Sequence, residues 1–166
     1  MAFLASFEVS QEFKVNASMD EVHGFLCDVP GNLALHPNTS EVRHLEPEVY
    51  EVVLKKIGTD KYNFQPSYTC KYIVSDDGAG LRWDPINKQE ALRVIGSFAL
   101  LSADDGQGST SVIMNVYSEM KLPLPSILRS SVSKFVASEN HRASRLYAQN
   151  IIDYFGGGAI VSSISS

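Results

Sequence analysis

The stretch that decides the fold is PSILRSSVSKFVASENHRASRLYAQNIIDYFGGG, residues 125–158. Its apolar side chains recur at helical spacing, which is typical of a helix that buries one face. Pro123 and Pro125 suit the first turn of such a helix, and the glycines at 156–158 suit its end. The pattern therefore predicts one long C-terminal helix, roughly 45 Å in length. The predicted buried stripe consists of Leu128, Val132, Phe135, Ala143, Leu146 and Tyr154.

One carboxylate, Glu139, falls inside this stripe, between Phe135 and Ala143. An isolated carboxylate is costly to bury, so it needs a charged partner, nearby water or a proton. One hypothesis is that the stripe faces a hollow, in which Glu139 holds the polar end of a ligand or an arginine. The candidate arginines are Arg82, Arg93 and Arg142. The alternative is that the helix bows or its register drifts, so that Glu139 reaches solvent.

The chain before this helix begins with a strand and then two short helical pieces. Residues 7–16, FEVSQEFKVN, alternate between apolar and polar side chains, which predicts a half-buried strand. The next segment, Ser18-Met19-Asp20-Glu21, is a capping-box pattern and predicts the start of a short helix. Pro30-Gly31 ends that helix, and a second helical piece is predicted over 32–35, before Pro37.

The middle of the chain is predicted to be a series of strands joined by tight turns. Strands are predicted at 40–46, 49–57, 62–74, 80–85, 90–101 and 110–120. Short connections between them imply that neighbouring strands run antiparallel. The segment 110–120 alternates well, with Val112, Met114, Val116 and Met120 on one face.

This order of elements resembles the START-like superfamily, also called SRPBCC, over about residues 6–156. The local features that carry the resemblance are FKVNASMDEVHGFLCDVPGNLALHP at 13–37, the strand with Trp83-Asp84, and the proline-led helix. The resemblance implies an α+β helix-grip fold. In that fold a seven-stranded antiparallel sheet wraps around the long C-terminal helix, and two short helices follow the first strand. We expect one ligand-binding domain over 1–158 and a disordered tail over 159–166.

Members of this superfamily enclose an apolar cavity between sheet and helix, and most bind hydrophobic small molecules there. We therefore expect a cavity of roughly 300–1,000 Å³, the usual range for ligand sites. Tyrosines suit its walls, because each offers an apolar face and one hydroxyl. The alternative for each ring is ordinary core packing. The predicted ligand-contacting residues are Tyr68, Trp83, Phe98, Met114, Val116, Phe135, Glu139, Ala143 and Tyr147.

Composition and motifs argue against several other classes of protein. The net charge of −5 does not favour nucleic acid or anionic lipid as a partner. No apolar run approaches the roughly 20 residues of a membrane span, so no stable membrane insertion is expected. Cys27 and Cys70 are read as reduced thiols of a cytoplasmic protein. His36 and His44 are interpreted as surface histidines, and neither a metal nor a cofactor is expected.

Three functions stay open at the level of sequence. The favoured one is a carrier or sensor that binds a lipid, quinone, polyketide or isoprenoid-like molecule without reacting with it. The second is a polyketide cyclase-like or dehydratase-like enzyme, in which Glu139 is the acid or base. The third is an accessory protein-interaction role. We favour binding, because one carboxylate without a visible partner acid gives little support for catalysis.

Overall fold

The computed structural model describes residues 3–58, 60–61, 63–87, 89–103 and 108–165, and for Ser165 the backbone alone. Eight strands of this described part form one antiparallel sheet in the order β10-β1-β9-β8-β7-β6-β3-β2, and β4 pairs with β5 in a separate ribbon. The strands are β1 (Phe3–Val15), β2 (Thr39–Glu46), β3 (Val49–Leu54), β4 (Ile57–Gly58), β5 (Asn63–Phe64), β6 (Ser67–Val74), β7 (Gly80–Pro85), β8 (Leu92–Ser102), β9 (Thr110–Leu122) and β10 (Gly158–Ser165).

Three α-helices accompany the sheet in the described residues: α1 (Met19–Cys27), α2 (Val29–Leu33) and α3 (Arg129–Tyr154). The capping-box pattern starts α1 as predicted, with Ser18 as the N-cap whose hydroxyl accepts the backbone N–H of Glu21. One 3₁₀ turn, Ser126–Leu128, leads into α3, which packs on β1 and β10. The α+β helix-grip architecture is therefore confirmed. None of the described helices is both long and apolar enough to cross a bilayer.

The strand boundaries differ from the prediction in the region 49–74. The predicted strand at 49–57 ends at Leu54 and resumes as the short β4. The predicted strand at 62–74 divides into β5 and β6, and Tyr62 lies outside the described residues. Pro66 explains the division, because a proline has no backbone N–H to donate to a sheet ladder.

The C-terminal segment is a strand, and the expectation of a disordered tail over 159–166 was wrong for the residues described. Gly158–Ser165 pairs antiparallel with β1, from Val15 opposite Gly158 to Val9 opposite Ser165. This pairing gives the sheet one strand more than the predicted seven. One edge of β1 pairs with β9, and the backbone groups of its other edge need hydrogen-bond partners. The backbone of β10 supplies them, so this segment forms a strand although its apolar pattern is weak.

The predicted buried stripe of the long helix was also wrong in phase. Leu128, Phe135, Leu146 and Tyr154 are exposed, Val132 is partly buried, and Ala143 alone of the six is fully buried. Apart from Ala143, the predicted stripe consists of large apolar residues, whereas the real contact face also contains the small residues Ser144 and Ala148, which let the helix approach the sheet. The buried residues of α3 are Val136, Ala143, Ser144, Tyr147, Ala148, Ile151 and Ile152.

Gly158 offers a test of how β10 is attached. Its φ of +148° disfavours other residues, and an added Cβ would lie 1.9 Å from the carbonyl oxygen of Lys14. We expect Gly158→Ala to lower the free energy of unfolding by roughly 1–3 kcal/mol. Gly24→Ala is the control, since Gly24 lies within α1 with nothing within 4 Å of the added carbon. Equal urea midpoints for the two variants would contradict the docking of β10.

Candidate ligand-binding cavity

A cavity of about 360 Å³ lies between the concave face of the sheet and α3. It exists because the N-terminal half of α3 does not pack closely on the sheet. No residue from Arg129 to Phe135 is fully buried, and most of the buried residues of α3 lie from Ala143 onward. The volume falls in the expected range. The strand residues on its wall include Phe7, Val9, Tyr68, Tyr72, Trp83, Leu92, Val94, Phe98, Met114, Val116, Ser118 and Met120.

Eight of the nine residues predicted to contact a ligand line this cavity. The ninth, Ala143, has no exposed surface and is absent from the cavity wall, because the contact face of α3 is rotated from the predicted one. The eight wall residues are Tyr68, Trp83, Phe98, Met114, Val116, Phe135, Glu139 and Tyr147. Their contact with a ligand stays a prediction.

A continuous row of rings forms much of the wall. Trp83 lies 5.8 Å from Tyr72 and 5.3 Å from Phe98, measured between ring centroids. Phe98 lies 6.3 Å from Tyr147 on the helix. Gly96 makes room for this row, since a Cβ there would lie 2.4 Å from an atom of the Trp83 ring. These separations are typical of offset and tilted ring contacts, which fix the rings without filling the hollow.

A buried hydrogen-bond chain ties α3 to the segment around α2. The Tyr147 hydroxyl donates to Oδ1 of Asn32, and Nδ2 of Asn32 donates to the carbonyl oxygen of Leu26 at 2.7 Å. A second link joins Nδ2 of Asn150 to the carbonyl oxygen of Leu35 at 2.8 Å. Because Asn32 and Tyr147 are both buried, these bonds hold the helix at one end of the cavity while leaving its other end open.

The tyrosines of the wall keep their protons at neutral pH. Burial raises the pKa of Tyr147, Tyr68 and Tyr72 well above the ordinary value for tyrosine. Each is therefore a neutral hydroxyl that can donate or accept a hydrogen bond but cannot act as a phenolate. This environment suits a polar group of a bound molecule better than it suits proton abstraction.

His36 is part of the cavity wall, and its interpretation as a surface histidine was wrong. It follows α2, and its ring lies 4.9 Å from the ring of Tyr147, centroid to centroid. Burial lowers the pKa of His36 to about 4, so the imidazole is neutral at physiological pH. Its Nδ1 accepts the backbone N–H of Asn38 at 3.2 Å. No local pattern in the sequence distinguished it from the other histidines.

The lowered pKa of His36 predicts a pH dependence of stability. The unfolded chain takes up the imidazole proton near pH 6.5, whereas the folded chain takes it up only near pH 4. The contribution of His36 to the free energy of unfolding is therefore fully present above pH 6.5 and is lost as the pH falls to 4. Its slope over this interval is about 1.4 kcal/mol per pH unit. His36→Gln lacks the titrating group, so urea titrations should show a smaller loss over this interval. Parallel curves would contradict the assignment.

Glu139 lies at the opening of the cavity, not within a buried stripe. The exposed residues of the wall are Lys55, Lys56, Gly58 and Phe135, which places the opening between the segment after β3 and the N-terminal half of α3. Glu139 accepts two hydrogen bonds from Arg142, at 3.1 Å from Nε and 2.5 Å from Nη2.

This ion pair is largely solvated. The side chains of Glu139 and Arg142 are 32% and 55% exposed, so the pair contributes little to stability. The guanidinium of Arg142 lowers the pKa of Glu139. The other two candidate arginines pair elsewhere, Arg82 with Asp84 and Arg93 with Glu119. The structure is therefore close to the alternative in which Glu139 reaches solvent.

Comparisons with known proteins show the fold and nothing narrower. No family model matches the chain, and no curated protein matches it at a significant level. Among solved structures, the Zhui aromatase/cyclase from Streptomyces sp. R1128 has a TM-score of 0.66 at 14% identity, covering 92% of this chain and 99% of that one. A START superfamily protein from Mycobacterium smegmatis has a TM-score of 0.63 at 13% identity, covering 89% and 99%.

A third similar structure is the di-domain ARO/CYC StfQ from the steffimycin biosynthetic pathway. Its TM-score is 0.58 at 10% identity, and the match covers 91% of this chain and 51% of that one. The named neighbours thus include both a START superfamily protein and aromatase/cyclases. Their sequence identities to this chain are so low that the likeness shows the fold alone. This chain has the START-like, or SRPBCC, fold.

Proposed function

We propose that this chain is a cytoplasmic carrier or sensor that binds one largely apolar small molecule in its internal cavity. The observation that carries the proposal is the hollow itself, in a place where a domain of this size would otherwise have a packed core. Aromatic and aliphatic side chains supply most of its wall, and a few polar groups converge on one end. That combination is typical of a small-molecule binding site.

Binding without reaction fits the polar groups of the wall better than catalysis does. Within the described residues, Glu139 is the one carboxylate on the wall, and it is held at the opening by Arg142. Its lowered pKa makes it a weak base and a poor proton donor at neutral pH. The cyclase names of two structural neighbours are the support for an enzyme, and they come with identities of 14% and 10%.

Four residues of the cavity wall, three on the sheet and one on α3, are proposed as the principal ligand contacts: Trp83, Phe98, Val116 and Tyr147. Trp83, Phe98 and Tyr147 are buried and Val116 is partly buried, so a bound apolar group would exchange water for their surfaces. Phe135 is more than half exposed at the opening and is proposed to cover the ligand once it has entered. Tyr68, Met114 and Glu139 complete the proposed contact set.

Native mass spectrometry with a mixed panel of apolar molecules tests this proposal. The folded protein would be incubated with a fatty acid, a short quinone, an aromatic polyketide and an isoprenoid alcohol, and then desalted. We expect one class to remain bound at one molecule per chain and to be released on denaturation. Retention of none of the four by a protein that is folded by circular dichroism would argue against a binding role.

A further inference from the structure

The two ring nitrogens of His36 have different partners. Nδ1 accepts the backbone N–H of Asn38, so that nitrogen carries no proton. A neutral imidazole has one ring proton, and this one must therefore be on Nε2. None of the hydrogen bonds in the described part of the chain uses Nε2 of His36. The ring lines the cavity, so a bound molecule can supply the missing acceptor.

The groups beside His36 use part of their hydrogen-bonding capacity on one another and on the backbone. Oδ1 of Asn32 already accepts the Tyr147 hydroxyl. Nδ2 of Asn32 uses one of its two hydrogens on the carbonyl oxygen of Leu26, and the other remains available. The end of the cavity formed by His36, Asn32 and Tyr147 is called the donor corner below. Two N–H donors remain in this corner, one on His36 and one on Asn32, and a carbonyl oxygen of a ligand has two lone pairs that can accept from both.

We infer that the bound molecule carries a neutral carbonyl oxygen, as in a ketone, quinone or ester, which accepts a hydrogen bond from Nε2–H of His36. This inference deepens the proposed function and rests on it. A pure hydrocarbon would cover the Nε2–H donor of His36 without accepting its hydrogen bond, which is unfavourable. A carboxylate would bring a full charge into the donor corner, whose His36, Asn32 and Tyr147 side chains are neutral.

Two matched fluorescent probes test the inference. One is propionyl-dimethylaminonaphthalene, an aryl ketone, and the other is its propyl analogue, in which a methylene replaces the carbonyl. One hydrogen bond to a buried donor is worth about 1 kcal/mol, so we expect the wild-type protein to bind the ketone roughly fivefold more tightly. His36→Phe should abolish or invert this preference. His36→Gln, which retains an N–H donor, should keep part of it.

The control is His44→Phe, because His44 is exposed, stacks on Tyr50 and is not on the cavity wall. It should leave the ketone preference unchanged. The infrared carbonyl stretch of the bound ketone should lie at lower frequency in the wild type than in His36→Phe. If both probes bind but the preference is the same in wild type and His36→Phe, the carbonyl inference fails and the proposed function stands. If neither probe binds, the proposed function itself fails.

Discussion

Asn32→Ala is expected to lower the free energy of unfolding by about 3–5 kcal/mol. The side chain is 2% exposed and satisfies two other buried groups, the Tyr147 hydroxyl and the carbonyl oxygen of Leu26. Alanine would leave both without a partner, and each unsatisfied buried group costs about 1–3 kcal/mol. Urea denaturation followed by circular dichroism measures the loss. Tyr147→Phe removes only one bond of the chain and should cost less, about 1–2 kcal/mol.

Asn38→Ala is the matched control for this experiment. Asn38 lies in the connection from α2 to β2 and on the same cavity wall, but its hydrogen bonds in the described residues are made by its backbone. We expect its stability to change by about 0.5 kcal/mol or less. A loss below about 1 kcal/mol for Asn32→Ala, similar to that of the control, would show that the hydrogen-bond chain does not hold α3 to α2.

Ser118→Phe is expected to abolish binding of apolar ligands while preserving the fold. Ser118 is buried on β9, lines the cavity and makes no hydrogen bond through its hydroxyl in the described part of the chain. A phenyl ring would occupy the space that the ligand needs, so affinity should fall roughly 100-fold or more, on the order of 3 kcal/mol. The melting temperature should stay the same or rise, because the ring fills a void and removes a buried hydroxyl.

Tyr117→Phe provides the comparison, since it presents the same side chain at the neighbouring position on the outer face of β9. Tyr117 is exposed and donates to Glu119 there. Its binding of a fluorescent apolar dye should match that of the wild type. If Ser118→Phe has the melting temperature of the wild type and binds the dye with the same affinity as Tyr117→Phe, the dye does not occupy the cavity.

The strand faces of the site could be predicted from the sequence because alternation is a local property. On β9 the residues predicted to share one face, Val112, Met114, Val116 and Met120, do point to the interior. Short connections fixed the antiparallel order in the same way. The capping box at Ser18 was equally local, since its hydrogen bond spans three residues.

Features that depend on distant parts of the chain could not be predicted. The face of α3 was missed because Ala143, Ser144 and Ala148 make close contact with the sheet through small side chains, which an apolar stripe does not reveal. The strand β10 depends on the free edge of β1, which is 143 residues or more earlier in the chain than its pairing partners.

The polar end of the cavity was missed for the same reason. Asn32 becomes a buried link only when Tyr147, 115 residues later, reaches it. His36 becomes a cavity residue when its ring packs against the ring of Tyr147 and its Nδ1 accepts the backbone N–H of Asn38. Glu139 could be located on α3 but not oriented, because a small error in helical phase moves a side chain from a buried face to the edge of an opening.

Titration of the wild-type protein with an environment-sensitive apolar dye tests whether the hollow accepts a ligand. Trp83 is the one tryptophan in the sequence and lies on the cavity wall, so its fluorescence reports directly on a molecule bound there. We expect saturable binding at one dye per chain, with quenching of Trp83 and a blue shift of the dye emission. A folded protein that shows no saturable binding and no change in Trp83 fluorescence would contradict the proposal that this cavity is a binding site.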